Sequence, residues 1–439
     1  MLSKVGWLGM ALTAGILPMI GMNSPVVAHD YFLSIPVSTE NTFVAELPDY
    51  LANDQGSSNP LEGATTSVTS TVSASIPFSL DLFSRVVQDY SQANILISPL
   101  SVQLALGMTL EGAAGETQAE IAKVLGIAPD QLAEWHRTNQ KRLVELTEAT
   151  DNSLQLQIAN SLWLAEGIPI FPEFIRANQD YYQAQVNSVT FGQPAATNRI
   201  NDWVAENTAG KITSIVDRTE PDTLLMLLNT VYFKGNWRYA FDPTATRESI
   251  FTLANGQEKQ HPFMEQSGTY RYAESTLFQA IQLPYGEGEW VMTILLPQPE
   301  QTLAEVMAQL NPTTWQAWMN SLRSTQGSLQ LPSFRLESSV ALESILAEMG
   351  MPQAFRPTAN FSQMSAQPTY ISQVKHKAMI EVNEVGTEAA AVTAITMTRT
   401  SMSKQPPFSM VVNRPFLYAI QSVDSGEILF MGSVVNPER

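Results

Sequence analysis

Apolar residues along this chain recur with two different periods. From Phe78 to Tyr90, Phe78, Leu82 and Val86 form one helical stripe with Leu80 and Phe83 beside it, which predicts an amphipathic helix. Asn94-Ile95-Leu96-Ile97 is a short buried strand by the same reading. It runs directly into Ser98-Pro99, where serine suits a helix N-cap and proline the first helical position. Apolar runs at Leu224–Phe233 and Trp290–Leu296 predict strands. Pro415–Gln421 and Ile428–Val434 predict a pair joined by a turn at Asp424-Ser425-Gly426. Helices and long strands alternate without a regular βαβ rhythm and without an internal repeat, which argues for an α+β fold with large sheets.

Two N-terminal stretches break the pattern. Residues 1–28 hold Lys4, an apolar run from Val5 to about Ile20 and the small-residue site Val26-Val27-Ala28, the layout of an export signal. Pro18 interrupts the run and no stop-transfer charges flank it, so cleavage is expected rather than anchoring. Residues 29–76 are rich in Ser and Thr, most of all at 65–75, and read as a flexible linker. Residues 77–439 then form one folded domain, expected to be secreted to an extracellular or periplasmic space.

A third departure lies at residues 384–396. From Gly386 to Thr398 the chain holds one charge, Glu388, and no proline. Exposed loops are usually polar and punctuated by Gly, Pro, Asn or Asp. This one has the small and β-branched side chains of a buried strand, with every backbone N–H free to join a ladder. In a strand, Thr387, Ala389, Ala391, Thr393 and Ile395 would face one way and Glu388 the other. The conflict predicts a segment with two states.

Composition narrows the function. The 439 residues are 44% hydrophobic and 15% charged, enough for a large core. Against 42 Asp and Glu stand 24 Lys and Arg, a net charge of −18 that should repel nucleic acid, anionic membranes and heparin-type polyanions. Arg137, Lys141 and Arg142 sit among Glu134, Glu145 and Glu148 and read as a solvated helix face. The absence of cysteine rules out disulfides, thiolate metal sites and a cysteine nucleophile, and in an exported chain it suggests a bacterial source. Ser401-Met402-Ser403-Lys404 matches the S-x-x-K of penicillin-interacting enzymes, but the K-T-G strand is missing. There is no G-x-S-x-G elbow, H-E-x-x-H or Walker loop, and nothing in the sequence places any of His29, His136, His261 and His376 near a nucleophile. No catalytic residue, metal or cofactor is expected, and the chain reads as a non-enzyme.

Four blocks, in this order, resemble the serpins: residues 94–117, 228–241, 376–391 and 413–437. The resemblance spans roughly residues 77–437 and implies the serpin fold: large antiparallel and mixed sheets, about eight or nine helices and an exposed reactive loop. It implies a hinge at Glu384, Gly386, Thr387, Glu388, Ala389, Ala390 and Ala391, where inhibitory members read Glu-x-Gly-Thr-Glu-Ala-Ala-Ala. It further implies a polar latch, the shutter, at Ser98, Ser101, Asn229 and His376, and a tryptophan at the top of the parting strands, the breach, at Trp237. Where relatives have Leu-Pro-Lys to pair with Glu384, this chain has Leu331-Pro332-Ser333, and Arg335 is expected to substitute. Counting about sixteen residues from Glu384, a strand of roughly 50 Å, puts the reactive bond at Thr400–Ser401. Arg399–Thr400 lies one residue away, and a slightly longer loop would shift the bond to Met402–Ser403. Threonine would suit elastase-like or subtilisin-like serine proteases, arginine trypsin-like ones. The implied activity is inhibition by a monomer that forms a covalent complex with its target, with loop insertion trapping the acyl-enzyme. The alternative is a non-inhibitory serpin acting as a binding or chaperone-like protein.

Overall fold

The computed structural model describes residues 60–90, 93–148, 154–387 and 408–439. The stretch expected to be an export signal and that expected to be a linker, up to residue 59, lie outside them, as do residues 388–407. The described helices are α1 (Pro60–Asp89), α2 (Pro99–Gly112), α3 (Gly115–Val124), α4 (Leu132–Glu148), α5 (Pro172–Tyr182), α6 (Pro194–Asn207), α7 (Leu303–Ala308), α8 (Pro312–Ser321) and α9 (Glu343–Met349). The strands are β1 (Ile95–Ile97), β2 (Leu154–Ala165), β3 (Gln185–Val189), β4 (Leu225–Asn236), β5 (Arg247–Thr252), β6 (Glu258–Glu274), β7 (Phe278–Tyr285) and β8 (Trp290–Pro297). They continue with β9 (Arg323–Pro332), β10 (Phe334–Ala341), β11 (Ile371–Val382), β12 (Gly386–Thr387), β13 (Phe408–Val411), β14 (Phe416–Ser422) and β15 (Ile428–Val434).

Two sheets organise the molecule. One has nine strands in the order β1-β15-β14-β8-β7-β6-β9-β13, with β5 added on β6; the other has six, β10-β11-β12-β4-β2-β3. β4 is covered on both faces. Leu225, Leu227, Val231 and Phe233 enter the main core, whereas Met226 and Leu228 join Trp163, Ile200, Trp203 and Met379 in a smaller core under α6. A strand buried on both faces reads as a continuous apolar run, which is why Leu224–Phe233 stands out in the sequence. β10, at the edge, alternates instead: Phe334, Leu336 and Val340 are buried, and Arg335, Glu337 and Ser339 face out. α2 starts as its sequence predicts, with Ser98 Oγ accepting from Ser101 N–H and Pro99 in the first turn. Nearly every residue of α2 is buried, because it packs against β2 and β4 of one sheet and β15 of the other.

Two expectations are corrected. α1 begins at Pro60, inside the stretch expected to be linker, rather than at Phe78, and carries Pro77 in its interior. No Gly or Pro interrupts Ala64–Ile76, and Ser, Thr and Val each cost a helix under about 0.7 kcal/mol relative to Ala. Without an apolar period, nothing in the pattern announced it. Arg142 is not solvated: its guanidinium is buried in an ion pair with Glu427, with Asn139 Oδ1 at 3.3 Å. Helical spacing explains the difference, since Arg142 falls on the inward stripe of Trp135, Asn139 and Leu146, while Arg137 and Lys141 face solvent.

Candidate functional site

β11 and β4 are parallel neighbours over a seam from Ile371↔Leu225 to Met379↔Tyr232. His376 and Asn229 stand opposite each other across this seam, and Asn160 on β2 stands opposite Asn229 on the other side. The start of α2 brings Ser98 and Ser101 beneath them. Ser98 N–H donates to His376 Nε2 at 3.0 Å, and His376 Nδ1 meets Asn229 Oδ1 at 2.7 Å. Asn229 Nδ2 donates to Ser101 O at 3.1 Å, to Ser101 Oγ and to Asn160 Oδ1 at 2.6 Å. All five side chains are buried. Because Nε2 accepts a backbone N–H, the single imidazole proton lies on Nδ1. Burial pushes this imidazole down from 6.5 to about 3, so it stays neutral.

At the top of the seam the chain turns back on itself. Trp237 N–H donates to Val385 O at 2.8 Å and Trp237 Nε1–H to Asn383 O at 2.9 Å, while Phe241 N–H takes Glu384 O at 2.8 Å. The indole lies flat on Tyr285, ring centroids 4.4 Å apart and planes at 16°. Held this way, Gly386 and Thr387 form β12, wedged between β11 and β4 and antiparallel to both. A Cβ on Gly386 would strike Gly235 O, so glycine is required by the close approach of the two backbones. Thr387 is fully buried, and its Oγ1 meets Tyr285 OH at 2.7 Å.

A family model described as serpin, serine protease inhibitor, matches residues 73–437. The chain is a serpin. Human neuroserpin is 33% identical over 391 residues, covering 86% of this chain and 94% of the relative. An uncharacterised serpin-like protein of Thermococcus kodakarensis is 36% identical over 372 residues, covering 84% of this chain and 86% of that one. The crystal structure of human thyroxine-binding globulin complexed with thyroxine matches with a TM-score of 0.79 at 27% identity, over 85% of this chain and 100% of that one. These human and archaeal relatives lend no support to the expected bacterial source.

In this serpin Ser98, Ser101, Asn229 and His376 come together as one latch, and Trp237 meets the hinge. Arg335 does not pair with Glu384. Thr246 Oγ1 donates to Glu384 Oε1 at 2.6 Å, and the Arg335 guanidinium turns to Met379 Sδ at 3.7 Å. Arg335 is registered opposite Glu381 on the flat of the sheet, whereas Glu384 lies past the end of β11 where the chain folds over towards Thr246. The two only flank a common cleft of about 390 Å³. Three residues join the site that the sequence did not single out for it. Asn160 completes the latch, Tyr285 holds Thr387, and Lys377 Nζ spans from β11 to Ser214 O at 2.7 Å, just beyond α6. Of the hinge, Glu388, Ala389, Ala390 and Ala391 lie outside the described residues, as do Arg399, Thr400 and Ser401.

Proposed function

We propose that this serpin inhibits serine proteases as a suicide substrate. The observation that carries the reading is β12: Gly386 and Thr387 of the hinge already pair between β11 and β4, at the top of a seam crossed by a cluster of buried polar side chains. A target serine attacks the Thr400 carbonyl, the Thr400–Ser401 bond breaks, the new Ser401 amine leaves, and an ester joins the inhibitor to the protease. The freed loop then extends β12 down the seam, past His376 and Asn229, and carries the protease with it, so that deacylation stalls. In this reading the chain is not itself an enzyme, needs no metal or cofactor, acts as an exported monomer, and gains nothing from a polyanion. The resting state stores free energy partly in buried polar atoms near the seam that lack partners among the described residues, Asn160 Nδ2 and Thr230 Oγ1, each worth about 1–3 kcal/mol.

Mixing the protein with elastase, subtilisin and trypsin tests this on a denaturing gel. A covalent band at the summed mass less that of the released fragment, which begins at Ser401, is expected. Clean cleavage without that band would sink the proposal and favour the second reading, a binding protein, for which the likeness to thyroxine-binding globulin speaks. Thr387→Arg should convert inhibitor to substrate, since a guanidinium cannot enter the buried place beside Tyr285.

A further inference from the structure

Away from the seam, a cavity of about 640 Å³ lies between the last turns of α1, the β5–β6 turn, α7 and the start of β14. Val87, Leu253, Leu303 and Met307 are each only half-buried, and all four line this one concavity instead of being scattered over the surface. Arg414 is the one charged side chain among the described residues lining it. Its guanidinium is held in place, Nε donating to Pro297 O at 2.8 Å and Nη1 to Asn413 Oδ1 at 2.9 Å, and Nη2 has no partner among the described residues. A concave apolar lining of a few hundred Å³ with one fixed polar group is the make-up of a small-molecule site.

We propose that this cavity binds an amphipathic monocarboxylate, an apolar body the size of a medium-chain fatty acid with its acid group on Arg414. A single guanidinium with two of its nitrogens already engaged can neutralise one negative charge but not a phosphate dianion. The net charge of −18 also makes non-specific uptake of anions unfavourable, so saturable binding of an acid would report this site in particular. The apolar groups supply affinity and Arg414 the choice of acid over alcohol. The site is remote from β12, and the proposal does not depend on protease inhibition.

Calorimetric titration of the full chain with dodecanoate and with dodecanol, below their aggregation concentrations, tests it. The parent is expected to bind one dodecanoate and to prefer it to dodecanol by about tenfold or more, the worth of one charge-assisted hydrogen bond. Arg414→Gln should erase that preference and leave dodecanol binding unchanged. Ala304→Trp, from the exposed side of α7, should fill the cavity and abolish both. No saturable binding by the parent, equal affinity for acid and alcohol, or undiminished binding in Ala304→Trp would each overturn the proposal. If Arg414→Gln does not fold, the acid-to-alcohol ratio in the parent and the Ala304→Trp result decide the matter.

Discussion

Ser98 N–H points at His376 Nε2, so protonating that nitrogen would set one N–H against another inside a buried latch. The imidazole titrates at about 3 in the fold against 6.5 when free. Above pH 6.5 both folded and unfolded chains hold it neutral; between 6.5 and about 3 only the unfolded chain takes up the proton. Its stabilisation of the native state is therefore complete above pH 6.5 and is lost progressively as the pH falls towards 3. In denaturant titrations across that window, the parent should lose more stability than His376→Gln, which cannot titrate; parallel curves would show that His376 is not the group responsible. Thr230, opposite Lys377 across the seam, buries a hydroxyl without a partner among the described residues. Thr230→Val keeps the shape, removes the orphan and should raise native stability by about 1 kcal/mol, read as a shift of the unfolding midpoint. The sequence revealed the latch only in part. His376 and Asn229 lie in recognisable motifs, but Asn160 and Tyr285 owe their roles to a register and a stacking contact that no local pattern encodes.

At the scale of elements, α4 is joined to the β14–β15 turn by the ion pair between Arg142 and Glu427, both almost fully withdrawn from water. Such a pair is costly to desolvate but more costly to halve. Arg142→Met should destabilise by about 3–5 kcal/mol because Glu427 is left buried and unpaired. Arg142→Met combined with Glu427→Leu should recover most of the loss, and thermal unfolding of the double-mutant cycle measures both. If the double variant is as unstable as the single, packing rather than charge holds α4 in place. The same scale separates what the sequence reveals from what it hides. β4, β8, β14 and β15 are apolar enough to read directly, because coverage on both faces or in the main core leaves its mark on every residue. The first half of α1 is hidden, because Ser, Thr and Ala permit a helix without signalling one. β12 falls in the stretch that reads as a strand, but its partners are hidden: only the neighbours on β11 and β4 show where Gly386 and Thr387 pair.

The molecule as a whole is closed along a parallel ladder, Ile371–Met379 on β11 against Leu225–Tyr232 on β4, while β12 at its top runs antiparallel to both strands. Extending β12 downward would exchange one parallel ladder for two antiparallel ones, which pair slightly better per residue. A net gain of about ten backbone hydrogen bonds at ~1 kcal/mol each would raise the melting temperature by roughly 20 °C or more, taking about 2–4 °C per kcal/mol. Calorimetry on the protein nicked near Thr400 by a protease it does not trap should therefore show a large upward shift relative to the uncut protein. Thr387→Arg, nicked at the same bond, should show little of that rise, because a strand anchored through β12 would have to bury a guanidinium beside Tyr285. An unchanged melting temperature in the nicked parent would mean that the cut loop stays out of the seam and that the resting state stores no usable free energy. The inhibitor reading would then give way to the binding-protein one, even though β12 occupies the top of the slot.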